Sequence, residues 1–118
     1  MKNRNLVESL KNMFDGFLYS LKRERNLRIH FLIAVIVFFL CIHINLSPIE
    51  FSLVVFAIGF VIVAELINTA IEQTIDLCWG HKINPIAKII KDVASLAVFI
   101  AAVCAIIIGY LIILPKFF

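Results

Sequence analysis

Residues 64–76 read AELINTAIEQTID and follow a run, 51–63, that has no charged side chain. Glu65, Asn68, Glu72 and Asp76 arrive at steps of three, four and four. At about 100° per residue on a helix they fall within an arc of roughly 80°, so the four polar groups share one face. Leu66, Ile67, Ala70, Ile71, Ile75 and Leu77 keep the rest of the segment fit for an apolar surround. Carboxylates at the mouth of a membrane helix are costly to place there, which makes the stripe a candidate functional site.

The composition agrees with a membrane setting. The chain has 118 residues, enough for one domain. It is 63% hydrophobic and 16% charged, with a mean hydropathy of +1.05. Soluble domains are nearer 45–50% apolar and about 25% charged, so an all-α integral membrane protein is expected. The formal charge of +3 gives no argument for nucleic acid. Its distribution is more telling: of eleven Lys and Arg, seven (Lys2, Arg4, Lys11, Lys22, Arg23, Arg25, Arg28) precede residue 29. Cys41, Cys78 and Cys104 are far apart, without CxxC or metal-ligand spacing. They read as small apolar side chains and require no oxidising compartment.

From residue 3 to 22, Leu6, Leu10, Met13, Phe14, Phe17, Leu18 and Leu21 recur at three- and four-residue steps among charged neighbours. This pattern predicts an amphipathic helix lying on the membrane surface, with a soluble partner-binding helix as the alternative. Residues 29–46 form the first predicted span, 18 residues long and close to the ~20 that a bilayer core requires. They carry no small-residue cleavage site and read as a retained helix, not a signal peptide. Ser47-Pro48 supplies a helix start. The second span, 48–77, would be about 45 Å long, so its last turns should reach the interface or beyond. A short loop, 79–85, includes Trp79 as an interface anchor and ends in a second Asn-Pro helix start. The third span covers 86–114, with Lys88, Lys91, Asp92 and Ser95 on one side of its first turns.

The basic N-terminus and the 79–92 region belong on one side by the positive-inside rule, because the loop between the first two spans has no Lys or Arg. That side is cytoplasmic. Glu24, Glu65, Glu72, Asp76, Lys91 and Asp92 then converge at a single interface. Glu24, Glu72 and Asp76 are hard oxygen ligands, and Mg²⁺ in phosphoryl-transfer sites is held by one or two carboxylates plus phosphate oxygens. Lys91 would supply positive charge for phosphate. Glu65 lies deeper, where desolvation suits a general base that draws a proton from an alcohol, and Asn68 could orient either partner.

Spacing alone leaves other uses open. Glu72 and Lys91 could form a structural bridge between helices, and a buried Glu could serve a small proton-coupled transporter or a membrane-assembly protein. Against transport, the polar face stops near Glu65, and the acids gather at one interface, away from the midplane. No GxxxxGK[ST] is present, so nucleotide binding would proceed without a P-loop. His30 reads as an interfacial or helix-packing group, and His81 as a solvated loop residue.

Three segments carry a resemblance: 24–30 (ERNLRIH), 64–72 (AELINTAIE) with Asp76, and 87–92 (AKIIKD). Together they resemble the prokaryotic diacylglycerol kinase family, most of all its undecaprenol kinase branch, over nearly the whole chain. The resemblance implies a homotrimer of three-helix subunits, each with an N-terminal surface helix, and active sites shared between neighbours. It implies a lipid kinase that uses ATP and Mg²⁺ to phosphorylate a membrane lipid alcohol, undecaprenol before diacylglycerol, at a bacterial cell membrane. By position, Glu65 matches the catalytic base, and Glu24 and Glu72 the metal-binding carboxylates that also meet ATP. Lys91 and Asp92 match nucleotide-phosphate contacts, with Asn68 and Asp76 in support, and Ser95 falls where the family meets its lipid. In two places the chain departs from the family: the loop from Asp76 to Pro85 is a residue longer, and Arg4 is the only candidate for an arginine that some members place near the start of the surface helix.

Overall fold

The computed structural model describes residues 5–80 and 82–118, which leaves Arg4 and His81 outside the described residues. Among them the chain is all helical: α1 (Leu6–Arg23), α2 (Arg25–His43), α3 (Pro48–Trp79), α4 (Pro85–Ile112) and a short 3₁₀ turn (Leu114–Lys116). Three stretches are long and apolar enough to cross a membrane: Arg25–His43, Pro48–Trp79 and Pro85–Lys116.

Local chemistry sets most of the ends. Asn5 caps α1 by accepting the Glu8 amide at 2.8 Å. Ser47 and Glu50 form a reciprocal capping box at the start of α3, with Pro48 at the first helical position. Asn84 accepts the Ile86 and Ala87 amides at 2.9 and 3.0 Å and starts α4 at Pro85. Gly80 closes α3 at φ 62°, a backbone region that side chains other than glycine's adopt only under strain. The first span starts earlier and stops earlier than its apolar run, at Arg25 and His43 instead of 29 and 46. Ile44 is extended there, and Pro48 disfavours helix in the residue before it. The third span likewise stops at Ile112, shortly before Pro115.

The break between α1 and α2 has a different origin, for it contains neither glycine nor proline. Glu24 alone is extended, at φ −107° and ψ 113°. The Arg28 guanidinium turns back and donates to the carbonyls of Leu21 and Lys22 at 2.7 and 2.9 Å. Those last-turn carbonyls would otherwise lack partners, and a cation suits the negative end of the helix. Leu27, three residues past the corner, is 1% exposed and helps to bury the first turn of α2. Phe17 meets Phe31 edge-on at 5.2 Å and fastens α1 to α2.

Helix α3 is the centre of the bundle and packs most extensively on α4. Ala87, Ala94 and Ala101 are buried at seven-residue intervals on α4 and allow close approach of the two backbones. On α3 the buried series Val54, Ala57, Val61, Glu65, Asn68 and Ile75 follows the same kind of seam. The polar stripe is therefore the continuation of the packing face. Outward surfaces stay apolar: only 11–17% of the most apolar window of each span is buried.

Candidate functional site

All of the stripe lies at one end of the bundle, where α1 ends, α2 and α4 begin, and the second half of α3 runs. The opposite end holds the Ser47 cap and an ion pair between Lys116 and Glu50 at 3.2 Å.

Seam geometry orders the stripe by depth. Glu65 is 3% exposed. The Thr69 hydroxyl donates to the Glu65 backbone carbonyl at 3.0 Å, so the threonine serves its own helix and leaves the carboxylate alone. Glu65 Oε2 instead lies 2.9 Å from His30 Nδ1 on α2. Both atoms are sealed from solvent, and their approach falls outside hydrogen-bond alignment, so this is a close polar contact without a formed hydrogen bond. One turn on, Asn68 donates through Nδ2 to Glu72 Oε1 at 2.7 Å. Its buried Oδ1 has no hydrogen-bond partner among the described residues. An unmatched buried carbonyl is costly, and a ligand donor would satisfy it.

Toward the water side, Asp76 receives Lys91 Nζ at 2.9 Å and Arg23 Nη2 at 3.4 Å. Lys91 thus pairs with Asp76, and the structural bridge considered for it with Glu72 is replaced by the Asn68–Glu72 bond. Asp92 points away from this group, mostly exposed and paired with Lys88 at 2.6 Å along its own helix. Neighbouring positions on a helix differ by about 100°, so Lys91 and Asp92 cannot face α3 together. Ser95 is exposed, and no hydrogen bond joins it to the cluster among the described residues.

Glu24 is held at the α1–α2 corner beside Glu72. Its carboxyl is pushed above the ordinary range, first by burial and then by the Glu72 charge. The Arg23 guanidinium opposes this, while Glu65 and Asp76 add to it. Such crowding of like charges is relieved by a cation, so the donor set fits a divalent metal held by two carboxylates and completed by a ligand's oxygens. No group of three or more His, Cys, Asp or Glu able to hold a metal occurs among the described residues.

Beyond Glu65 the character changes. A cavity of about 330 Å³ opens between α2, α3 and α4, lined by apolar side chains such as Val54, Ala57, Val61 and Ile108. Among the described residues His30 is its one polar lining residue. Two partners in this region escaped sequence reasoning. Arg23 looked like one more basic flank. His30 sits at a helical position whose partner is distant in sequence, and no local spacing signals the pairing.

The chain matches the prokaryotic diacylglycerol kinase family over residues 11–113. It belongs to that family. A diacylglycerol kinase of Synechocystis is 35% identical over 94% of this chain and 63% of its own length. An undecaprenol kinase of Bacillus subtilis is 37% identical over 98% of this chain and 99% of its own length. The chain thus spans less than two thirds of the cyanobacterial relative and nearly all of the bacillar one. Family and relatives alike bear the names of lipid kinases, and membership places the chain in that enzyme class, as a membrane protein of three apolar helices.

Proposed function

We propose that the protein transfers the γ-phosphoryl group of ATP to the hydroxyl of a membrane lipid alcohol, undecaprenol, giving undecaprenyl phosphate. The observation that carries this reading is the position of Glu65, which meets the cavity-lining His30 at 2.9 Å and lies on the same helix face as the carboxylates of the lysine-bearing cluster. A lipid hydroxyl can reach it from the hydrocarbon side and a nucleotide from the water side. Glu65 takes the hydroxyl proton as the lipid oxygen forms its bond to the γ-phosphorus. The bond from that phosphorus to the bridging oxygen breaks, its electron pair leaves on ADP, and Glu65 later releases the proton to water.

Glu24 and Glu72 would hold Mg²⁺, which supplies charge neutralisation at the phosphate oxygens when bound. Lys91 meets phosphate once it turns from Asp76, and Asp92 binds on the nucleotide side. Asn68 orients the acceptor hydroxyl or Glu72 through its unmatched Oδ1, Asp76 supports Lys91, and Ser95 meets the lipid body. We place the N-terminus and the cluster on the cytoplasmic side of a bacterial cell membrane, with α1 as a surface helix. The broad apolar faces left on every span support a homotrimer with shared sites.

Undecaprenol is favoured by the ERNLRIH segment at 24–30 and by the end-to-end match to the bacillar relative. Diacylglycerol is the second reading, favoured by the cyanobacterial one. Purified protein with γ-labelled ATP, offered both alcohols in the same mixed micelles, tests the choice. Label is expected chiefly in undecaprenyl phosphate. Label chiefly in phosphatidic acid would reverse the assignment.

A further inference from the structure

We propose that His30 is a positioning residue for Glu65, holding one carboxylate oxygen through Nδ1 and so presenting the other to the acceptor hydroxyl. This rests on the reading of Glu65 as the base. Glu65 occupies a packing seam, 3% exposed, where a carboxylate without a partner would be strongly disfavoured. Its neighbours on α3 do not serve it: Thr69 bonds the backbone carbonyl, and Asn68 is engaged by Glu72. Only His30 Nδ1, at 2.9 Å, meets the carboxylate among the described residues.

The contact has the form that a poised group would take. Oε2 and Nδ1 are both buried and both lack an aligned hydrogen bond, although they lie 2.9 Å apart, so a small reorientation would join them. Catalytic hydrogen bonds are commonly misaligned without substrate and tighten when it binds. Nδ1 donates to a carboxylate whenever it carries a proton, and in the neutral ring that tautomer leaves Nε2 as the acceptor nitrogen. Position adds a direction. His30 lines the apolar cavity and is its one polar residue among the described residues, so the dyad lies at the end of the space from which an apolar alcohol would approach. With Oε2 committed to His30, Oε1 is the oxygen left for the hydroxyl proton.

A purely structural bridge would make the same contact, so the test must separate holding from folding. Asparagine places an amide N–H near the Nδ1 position, whereas glutamine, of similar polarity and bulk, reaches toward Nε2. Initial rates in mixed micelles are measured for the full chain and for His30→Asn, His30→Gln, His30→Leu and Glu65→Gln. His30→Leu and His30→Gln are expected to lower kcat by about 10–100-fold with KM for ATP and lipid nearly unchanged, as for a misplaced base. His30→Asn is expected to recover most of that loss. Equal rates in the Asn and Gln variants, or a loss carried by KM, would overturn the role of His30. Full kcat in His30→Leu beside an inactive Glu65→Gln would also overturn it while leaving the base in place. An active Glu65→Gln would instead remove the reading on which the inference stands.

Discussion

Among single residues, Glu24 shows most directly how charge placement becomes function. Burial and the Glu72 charge push its carboxyl above the ordinary glutamate range, so it takes up a proton at a higher pH than an exposed glutamate would. In its proposed role as a metal ligand Glu24 must be ionised, so proton and cation would compete for the same oxygens. As pH falls through that raised value, the Mg²⁺ concentration giving half-maximal kinase activity is expected to rise. Glu24→Gln and Glu72→Gln should each raise the requirement about tenfold or more, and Glu24→Gln should flatten its pH dependence. Mg²⁺ titrations of activity at several pH values check both statements, and parent-like curves in both variants would remove the metal role. The stripe itself was legible because a helix converts spacing into a shared face. The partner of Glu65 was not, since His30 comes from another helix and reaches it only through tertiary packing.

At the scale of elements, the starts of α3 and α4 could be read from Ser47-Pro48 and Asn84-Pro85, because caps are satisfied by residues within one turn. The corner at Glu24 could not. It depends on Arg28 reaching back to carbonyls of the previous helix and on Leu27 helping to bury the first turn of α2, neither of which leaves a glycine or proline signature. These two kinds of end predict different consequences. Arg28→Ala exposes the Leu21 and Lys22 carbonyls and loosens the corner that holds Glu24, so half-saturating Mg²⁺ should rise several-fold. Ser47→Ala, at the other end of the bundle, should lower stability by about 1 kcal/mol and leave the Mg²⁺ titration unchanged. Thermal melts in detergent alongside the titrations would separate the two. A Ser47→Ala effect on Mg²⁺ as large as that of Arg28→Ala would deny the corner its special part.

The whole molecule is organised around one seam that changes character along its length. On α3 the buried positions are apolar from Val54 to Val61, turn polar at Glu65, Asn68 and Thr69, and return to apolar at Ile75, so a single helix face serves as core at one end and carries the candidate site at the other. That arrangement places the deepest acid against His30, which lines an apolar cavity, and the shallower acids among Lys91, Arg23 and Glu24. A transporter would need the polar path to continue, and among the described residues the cavity beyond Glu65 offers only His30. Family membership gives a kinase class, and the proposed transfer at one interface is consistent with it. The most direct test is transfer of label from γ-labelled ATP to undecaprenol by the purified parent protein and by Glu65→Gln, both shown to be folded in the same detergent. Labelled undecaprenyl phosphate is expected from the parent, with a loss of at least about 100-fold in the variant, the size of a general-base contribution. Near-parental transfer by Glu65→Gln would contradict the role of Glu65 as the base.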